Sequence, residues 1–390
     1  VSAAITVART VQAGGVWNTA YGDLAPLTER AHGPELTLRP LTAADEAALR
    51  ADHDARWDEP FLPALFDHDR TVAAGWAAGA AALWTAGEAL RLAVTDADLL
   101  VGTVDLHGID RHRGVAGIGW RTLRGRTGRG YARRAGAVLA RSAHTALGLH
   151  RVQALVAAGN HASRAAAAGA GLHLEAVLRA AGPGSVARSE VPAAAAARTD
   201  VEVWRLLADE DPLEPQPQLS AGVLHLRPLL PRDAQVIARA CQDPLSQQWL
   251  PMLPRPYTAQ DGADYIAGAL GGWAGVGEQV WGFCDATTAE LLGVVGLKPA
   301  VLAPGWRELG WHCFPWGRGH GHTAAAAGAV ARYARARQGA ERIDALIDPA
   351  NTASQRVAAK AGMVLEGTLG GALPRRGETR TAAQVWHFPL

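Results

Sequence analysis

The chain repeats itself, and this limits its architecture more than any other feature. The stretch NHASRAAAAGAGLHLEAVL, residues 160–178, aligns without a gap on NTASQRVAAKAGMVLEGTL, residues 351–369, with ten of 19 positions identical. Further forward, LTLRPL at 36–41 returns as LHLRPL at 224–229, offset by 188, and Gly119 and Trp120 return as Gly310 and Trp311, offset by 191. Three residues are therefore inserted in the front half of the second copy and none in the back. Copies of roughly 170 residues are too long for solenoid repeats and match complete domains. The expected layout is an N-terminal extension over 1–34 with no counterpart in the second copy, a first domain over 35–207, a linker over 208–222 and a second domain over 223–390. The linker, ADEDPLEPQPQLSAG, is acidic and proline-rich, so it neither packs well nor continues a helix.

Within a copy, ELTLRPL reads as an alternating strand that runs into TAADEAALRADHD, a helical pattern with Thr42 and Asp45 placed as an N-cap and an acidic first turn. RLAVTD, LLVGTVDLHGI and GVAGIGWRTL carry β-branched and apolar residues punctuated by glycine, the pattern of an antiparallel meander. Ala132, Ala135, Val138, Leu139, Ala143 and Ala146 then recur at helical intervals. HRVQALVA is a strand, ASRAAAAGAG a short helix, and HLEAVLR with DVEVWRLL a closing strand pair; the second copy repeats the series. The predicted class is α+β, each domain a mixed, mostly antiparallel sheet flanked by helices, with a strand, glycine loop, helix and strand at its centre.

Charge excludes some functions. With 38 basic and 37 acidic residues among 390, no global field exists to hold nucleic acid or an anionic membrane, so phosphate must be bound by local arrangement. Cys241, Cys284 and Cys313 are odd in number and far apart, which indicates neither a disulfide framework nor a zinc cage. No export signal or membrane anchor is read, and a reducing cytoplasm is the expected setting.

The local arrangement is a loop that occurs twice, TGRGYARRA at 127–135 and RGHGHTAAA at 318–326. A helix start offers unpartnered N–H groups and partial positive charge to a phosphate, glycines let the chain come close, and Arg124, Arg126, Arg129 and Arg133 add cationic donors. The ATP-type GxxxxGK[ST] loop is absent from both copies, and GRTGRG lacks the flanking context and acidic partner of a dinucleotide fold.

On these residues, together with LRPL at the start and NxxS…AG near the end of each copy, the chain resembles the GNAT superfamily of N-acetyltransferases, in its Rim-type branch that acetylates N-terminal amines. The resemblance spans both copies almost end to end. That family's acyl-CoA loop, Gln/Arg-x-x-Gly-x-Gly/Ala, is met by Arg318, Gly321 and Thr323 and by Thr127, Gly130 and Ala132; Thr323 and Thr127 each depart from it. The resemblance implies acetyl-CoA or another acyl-CoA as donor, or an acyl carrier protein presenting the same thioester. No metal, nucleic acid or membrane partner is expected from the charge balance and the residue pattern, and a homodimer is left open. The implied phosphate contacts are Thr127, Gly128, Arg129, Gly130, Tyr131 and Ala132 in the first copy. In the second they are Arg318, Gly319, His320, Gly321, His322 and Thr323. Pantetheine is expected along the splayed strand before each loop, on Trp120, Arg121, Thr122 and Leu123 and on Trp311, His312, Cys313 and Phe314, with Asn160 and Asn351 orienting it or a water.

The resemblance further implies that the acceptor amine attacks the thioester directly. Glu308 and Asp344 are the implied bases in the second copy; Gly117 and Gln153 stand in their places in the first, leaving Asp105 and His107. Ser163 and Ser354 are placed by the resemblance to protonate the departing thiolate. Plainer readings stand beside these: the asparagines cap helices, Glu308 is a solvated strand residue, Asp344 pairs with an arginine, and Cys313 is a buried thiol. His320 and His322 lack a third ligand and make no metal site. Trp57, Trp249 and Trp273 fall where the family builds its acceptor pocket, as does WLPMLPRPYT at 249–258. The acceptor class is a primary amine, on a peptide N-terminus or a small molecule. The second copy is favoured as the competent one, and the rival function is a CoA-binding scaffold or sensor.

Overall fold

The computed structural model describes residues 19–29, 35–55, 77–182, 198–274, 277–300, 305–374 and 380–389. The chain divides between Pro215 and Gln216 into two compact units, each built on its own sheet. In the first unit the order is β1 (Leu27–Glu29), β2 (Leu36–Pro40), α1 (Ala43–Ala55), α2 (Ala78–Ala86), β3 (Ala89–Asp96), β4 (Leu99–Asp110), β5 (Val115–Thr122), α3 (Tyr131–Thr145), β6 (Arg151–Ala157), α4 (His161–Gly169), β7 (His173–Gly182) and β8 (Thr199–Leu207). The second unit follows with β9 (Leu219–Ala221), β10 (Leu224–Pro228), α5 (Ala234–Cys241), α6 (Pro244–Trp249), α7 (Ala259–Ala274), β11 (Gln279–Asp285), β12 (Leu291–Pro299), β13 (Trp306–Cys313), α8 (His322–Gln338), β14 (Arg342–Ile347), α9 (Thr352–Lys360), β15 (Val364–Pro374) and β16 (Arg380–His387). The sheet orders are β1-β2-β3-β4-β5-β6-β8-β7 and β9-β10-β11-β12-β13-β14-β16-β15. All ladders are antiparallel except β5 with β6 and β13 with β14, which are parallel because a helix crosses over between the two strands of each pair. The α+β class and the duplication expected from the sequence are both present.

Strand alternation explains how the second sheet is buried on both faces. Trp281 and Phe283 of β11 and Val295 and Leu297 of β12 turn to α8, whereas Val280 and Val294 turn to α5 and α7. Small side chains let α8 lie close to the sheet: Ala326, Ala327, Val330, Ala331 and Ala334 are fully buried. In α3 the buried face is wider than the predicted stripe, taking in Tyr131, Arg134, Gly136 and Ala140, while Ala132 and Ala146 are only half-buried.

The duplication is also written in ion pairs. Arg39 of the first LRPL grips Asp45 at 2.8 Å, and Arg227 of the second grips Asp233 at 2.7 Å. The Asp45 carboxylate accepts both the N–H and the hydroxyl of Thr42, so Thr42 donates to it instead of capping the helix with its own oxygen. Two expectations change. The residues before 35 do have a structural counterpart, since β1 pairs with β2 as β9 pairs with β10, Leu27 opposite Leu38 and Leu219 opposite Leu226. Edge pairing uses backbone atoms alone, so it leaves no identity to align. For the same reason the stretch read as a linker ends in structure: besides β9, Gln216 donates to the Val280 carbonyl at 2.9 Å and Trp281 to the Pro217 carbonyl at 2.9 Å. Residues 1–18 and 30–34 of the expected extension, and Trp57, lie outside the described residues.

Candidate functional site

Each central parallel ladder stops early. β5 and β6 pair only at Val115 with Arg151, Ala116 with Val152 and Gly117 with Gln153; β13 and β14 pair only at Trp306 with Arg342, Arg307 with Ile343 and Glu308 with Asp344. The strands run on without each other because each first partner stays with its other neighbour. β13 remains registered on β12 as far as Cys313 opposite Gly293, and the Phe314 N–H donates to the Leu292 carbonyl at 2.9 Å. Likewise the Leu123 N–H goes to the Val101 carbonyl at 2.9 Å. Leu123 and Phe314, expected to offer backbone bonds to a ligand, therefore spend their amides within the sheet, and Phe314 is fully buried.

In the second unit the splay opens into a cleft of about 990 Å³. Leu309 to Cys313 line one side, Ala345 to Asp348 the other, and Gly319, Gly321, His322 and Thr323 close its end. Asn351 and Ser354 also face it. The start of α8 leaves its first turn without a side-chain cap, and its N-cap, Gly321, has φ 78°. A Cβ at Gly321 would meet nothing within 4 Å, so glycine is required there by the left-handed backbone and not by crowding. Gly130 at the head of α3 has the same φ, 78°, and again no side-chain cap. Thr127, Gly128 and Arg129 are exposed at that turn. Orphan amides and bare cations of this kind suit a phosphate.

Several predicted contacts are otherwise engaged. The Tyr131 hydroxyl donates to Asp96 at 2.5 Å and its ring is buried, so it anchors the helix start. Ala132 is half-buried beside it. His320 stacks on His322, ring centres 5.3 Å apart, but is not among the cleft-lining residues. Among the described residues, no three His, Cys, Asp or Glu side chains gather as a metal set. Asn160 and Asn351 each cap a helix, accepting from the N–H of Ser163 at 3.1 Å and of Ser354 at 3.0 Å. For Asn351 capping and cleft lining go together. Burial pushes the Cys313 thiol up, against a nucleophilic role. Trp249 lines the cleft, whereas Trp273 packs edge-on against Trp281 and belongs to the core.

The predicted bases lie at the apex of the splay, outside the cleft lining. Glu308 Oε1 is 2.8 Å from Lys298 Nζ. Asp344 accepts from Arg342 at 2.7 Å and contacts His387 Nδ1 at 3.0 Å, the arginine-paired state that the plainer reading allowed. Glu278 joins Glu308 and was not read from the sequence. Its Oε1 lies 2.0 Å from where a Cβ on Gly296 would stand, and burial, with Lys298 opposing and Glu308 assisting, raises its pKa. The available signal was the facing pair Gly296 and Gly310, whose missing side chains leave room on one face of the sheet.

His312, expected to contribute backbone, instead brings a side chain. Its Nε2 is 2.8 Å from Ser246 Oγ; the Asp243 carboxylate accepts the Ser246 N–H at 3.0 Å and an Arg318 Nη2 bond at 2.7 Å, and Arg318 also reaches Ser246 Oγ at 3.3 Å. Burial and then the Arg318 charge push His312 down to about 4, with Asp243 opposing, so the ring is neutral near pH 7. Arg318 is thus committed to α6. The first unit differs here: Arg121 stands where the second has His312, and its guanidinium is buried against Asp52 at 2.6 Å, with Asp52 also accepting the Arg124 N–H at 2.6 Å.

Among solved structures, the chain is similar to a GNAT-family acetyltransferase from Bacillus anthracis, at 21% identity and TM-score 0.39, over 44% of this chain and 97% of that one. It is also similar to Mycobacterium smegmatis RimJ in complex with CoA-disulfide, at 24% identity and TM-score 0.39, over 48% and 90%. A third is the ribosomal-protein-S5-alanine acetyltransferase from Vibrio fischeri, at 18% and 0.39, over 44% and 96%. No curated protein matches. The family model described as an acetyltransferase (GNAT) domain matches twice, over residues 35–173 and 224–364, and these matches cover most of the chain. The chain therefore belongs to the GNAT family of acyl-CoA-dependent N-acetyltransferases and carries two of its domains in tandem.

Proposed function

We propose that the second domain moves an acetyl or longer acyl group from acyl-CoA to a primary amine by direct attack, the expected domain limits of 35–207 and 223–390 being extended forward to take in β1 and β9. The observation that carries this reading is the cleft between β13 and β14, which begins at Leu309, the residue after Glu308, and runs to the uncapped start of α8. The amides of the loop at Gly319 and Gly321 and the first turn of α8 would hold the diphosphate, and the free edges of β13 and β14 the pantetheine arm. Glu308 takes the proton from the amine, and Ser354 supplies one to the departing sulfur. Asn351 keeps Ser354 in place by capping α9. Asp344, tied to Arg342 and His387, sets the local charge and is not the base.

The favoured acceptor is a peptide N-terminus, in line with the Rim-type branch. An α-amino group, with a pKa of about 7.7–8.0, is neutral near pH 7 far more often than lysine at about 10.4. The test is thiol release from acetyl-CoA with peptides bearing free α-amines and with small amines. Ser354→Ala and Glu308→Gln should slow turnover while leaving acetyl-CoA affinity unchanged. Saturable CoA binding without thiol release for every amine would instead establish a scaffold or sensor.

A further inference from the structure

The two units place different residue types where their strands part, and the differences compensate. Val104 faces Trp120 and Val295 faces Trp311, so Asp105 corresponds to Gly296, His107 to Lys298, Gly117 to Glu308 and Gly119 to Gly310. In the second unit the β13 position at the apex carries an acidic side chain, Glu308, opposite Asp344 of β14. In the first, β5 has only Gly117 there, and His107 reaches over from β4. Its Nε2 lies 2.3 Å from where a Cβ on Gly117 would stand, so the imidazole fills the volume that a side chain at 117 would enter. The neighbouring position repeats the exchange. Asp105 Oδ1 lies 2.8 Å from a Cβ position on Gly119, whereas in the second unit Glu278 fills the space over Gly296. Each apex therefore holds a base and a neighbouring carboxylate, supplied from different strands, and only the first unit's carboxylate, Asp105, is buried.

The first-unit pair is also oriented. His107 Nδ1 is 2.8 Å from Asp105 Oδ2, with the carboxylate side chain 3% and the imidazole 55% exposed. An ionised carboxylate only accepts, so Nδ1 carries the hydrogen and Nε2 presents a lone pair. Gly117 is the last β5 residue paired with β6, which puts Nε2 at the apex itself.

We propose that the first unit is a second acyl-transfer centre, with His107 as its base and Asp105 as the residue that positions it. The inference rests on the direct-attack reading of the second domain. In the step, the amine nitrogen forms a bond to the thioester carbon, the carbon–sulfur bond breaks, and the ammonium proton passes to His107 Nε2. That proton ends on the departing thiolate, giving amide and free thiol. Among the described residues, the charged groups facing the imidazole are Asp105 on its own strand and Arg91 on β3, while β5 presents Gly117 and Gly119 and β6 the uncharged Gln153. The Asp105 hydrogen bond raises the His107 pKa above 6.5 against the opposing pull of burial and Arg91. Because the free base is required, turnover by this centre rises with pH.

The experiment uses the full chain carrying Glu308→Gln, with acetyl-CoA and an α-amine peptide. Expected is residual thiol release that, once the rate is referred to the neutral fraction of the amine (pKa about 7.7–8.0), retains a second acid limb with a midpoint above 6.5. Adding His107→Gln should lower that release about a hundredfold near pH 8, with two acetyl-CoA still bound per chain by calorimetry; His107→Asn serves if glutamine disturbs the fold. Adding Asp105→Asn should move the midpoint down, together with the His107 titration seen by NMR, which a purely structural aspartate would not do. Complete loss of turnover in Glu308→Gln from an active wild type, or residual turnover indifferent to His107→Gln, overturns this inference alone. A wild type that releases no thiol with any amine overturns it together with the function proposed for the second domain.

Discussion

His312 gives the most quantitative handle on the second-domain site. Its ordinary pKa of 6.5 falls to about 4 in the folded protein, because burial and Arg318 disfavour the imidazolium. That separation corresponds to about 3 kcal/mol. Between the two values the unfolded chain binds more protons than the folded one, so stability from this group is complete above 6.5 and is lost as pH falls toward 4. Moving from pH 7.5 to pH 5 should remove about 2 kcal/mol through His312 alone. The assay is urea denaturation of the wild type and of His312→Asn at both pH values, with the imidazole titrated by NMR in the folded chain. The variant loses the Ser246 bond and is less stable throughout, so the comparison is between pH dependences and not between absolute stabilities. The wild type should lose about 2 kcal/mol more than the variant on acidification. Equal losses, or a His312 titration midpoint near 6.5, would refute the claim that the ring is held neutral between Ser246 and Arg318.

Other consequences follow from the same geometry. Asp52→Ala strands the buried Arg121 guanidinium and should destabilise the first unit by about 3–5 kcal/mol in thermal or urea melts, whereas replacing both partners with apolar residues should recover much of the loss. Gly321→Ala forces a side chain to φ 78°, which should cost about 1–2 kcal/mol and weaken CoA binding measured by calorimetry. Asn351→Ala removes the cap of α9 at a cost of about 1 kcal/mol, while Asn351→Asp should retain it, as read from the urea midpoint.

The residue order alone carried the duplication, the class, nearly every central element and the two loops. These are local or self-referential signals: periodicity, turn residues and identity between copies survive in one dimension. Ion pairing within a motif was half legible, since Arg39 with Asp45 and Arg227 with Asp233 lie six residues apart. Edge strands β1 and β9 were not, because their pairing consists of backbone hydrogen bonds that any residue can make.

The site divides the same way. Glycines at the helix starts announced themselves by their place between strand and helix, whereas the asparagines three residues before a serine were picked out by the family resemblance. Only the tertiary structure decided which side chains meet at the apex. His312 finds Ser246 across 66 residues, Arg121 finds Asp52 across 69, and Glu278 enters space left empty by Gly296. Sequence distance says nothing about such contacts, because they depend on which faces of neighbouring strands align once the sheet has formed. What the order of residues determined is that this chain builds one fold twice; what the folded sheets decided is how each copy equips the point where its central strands part.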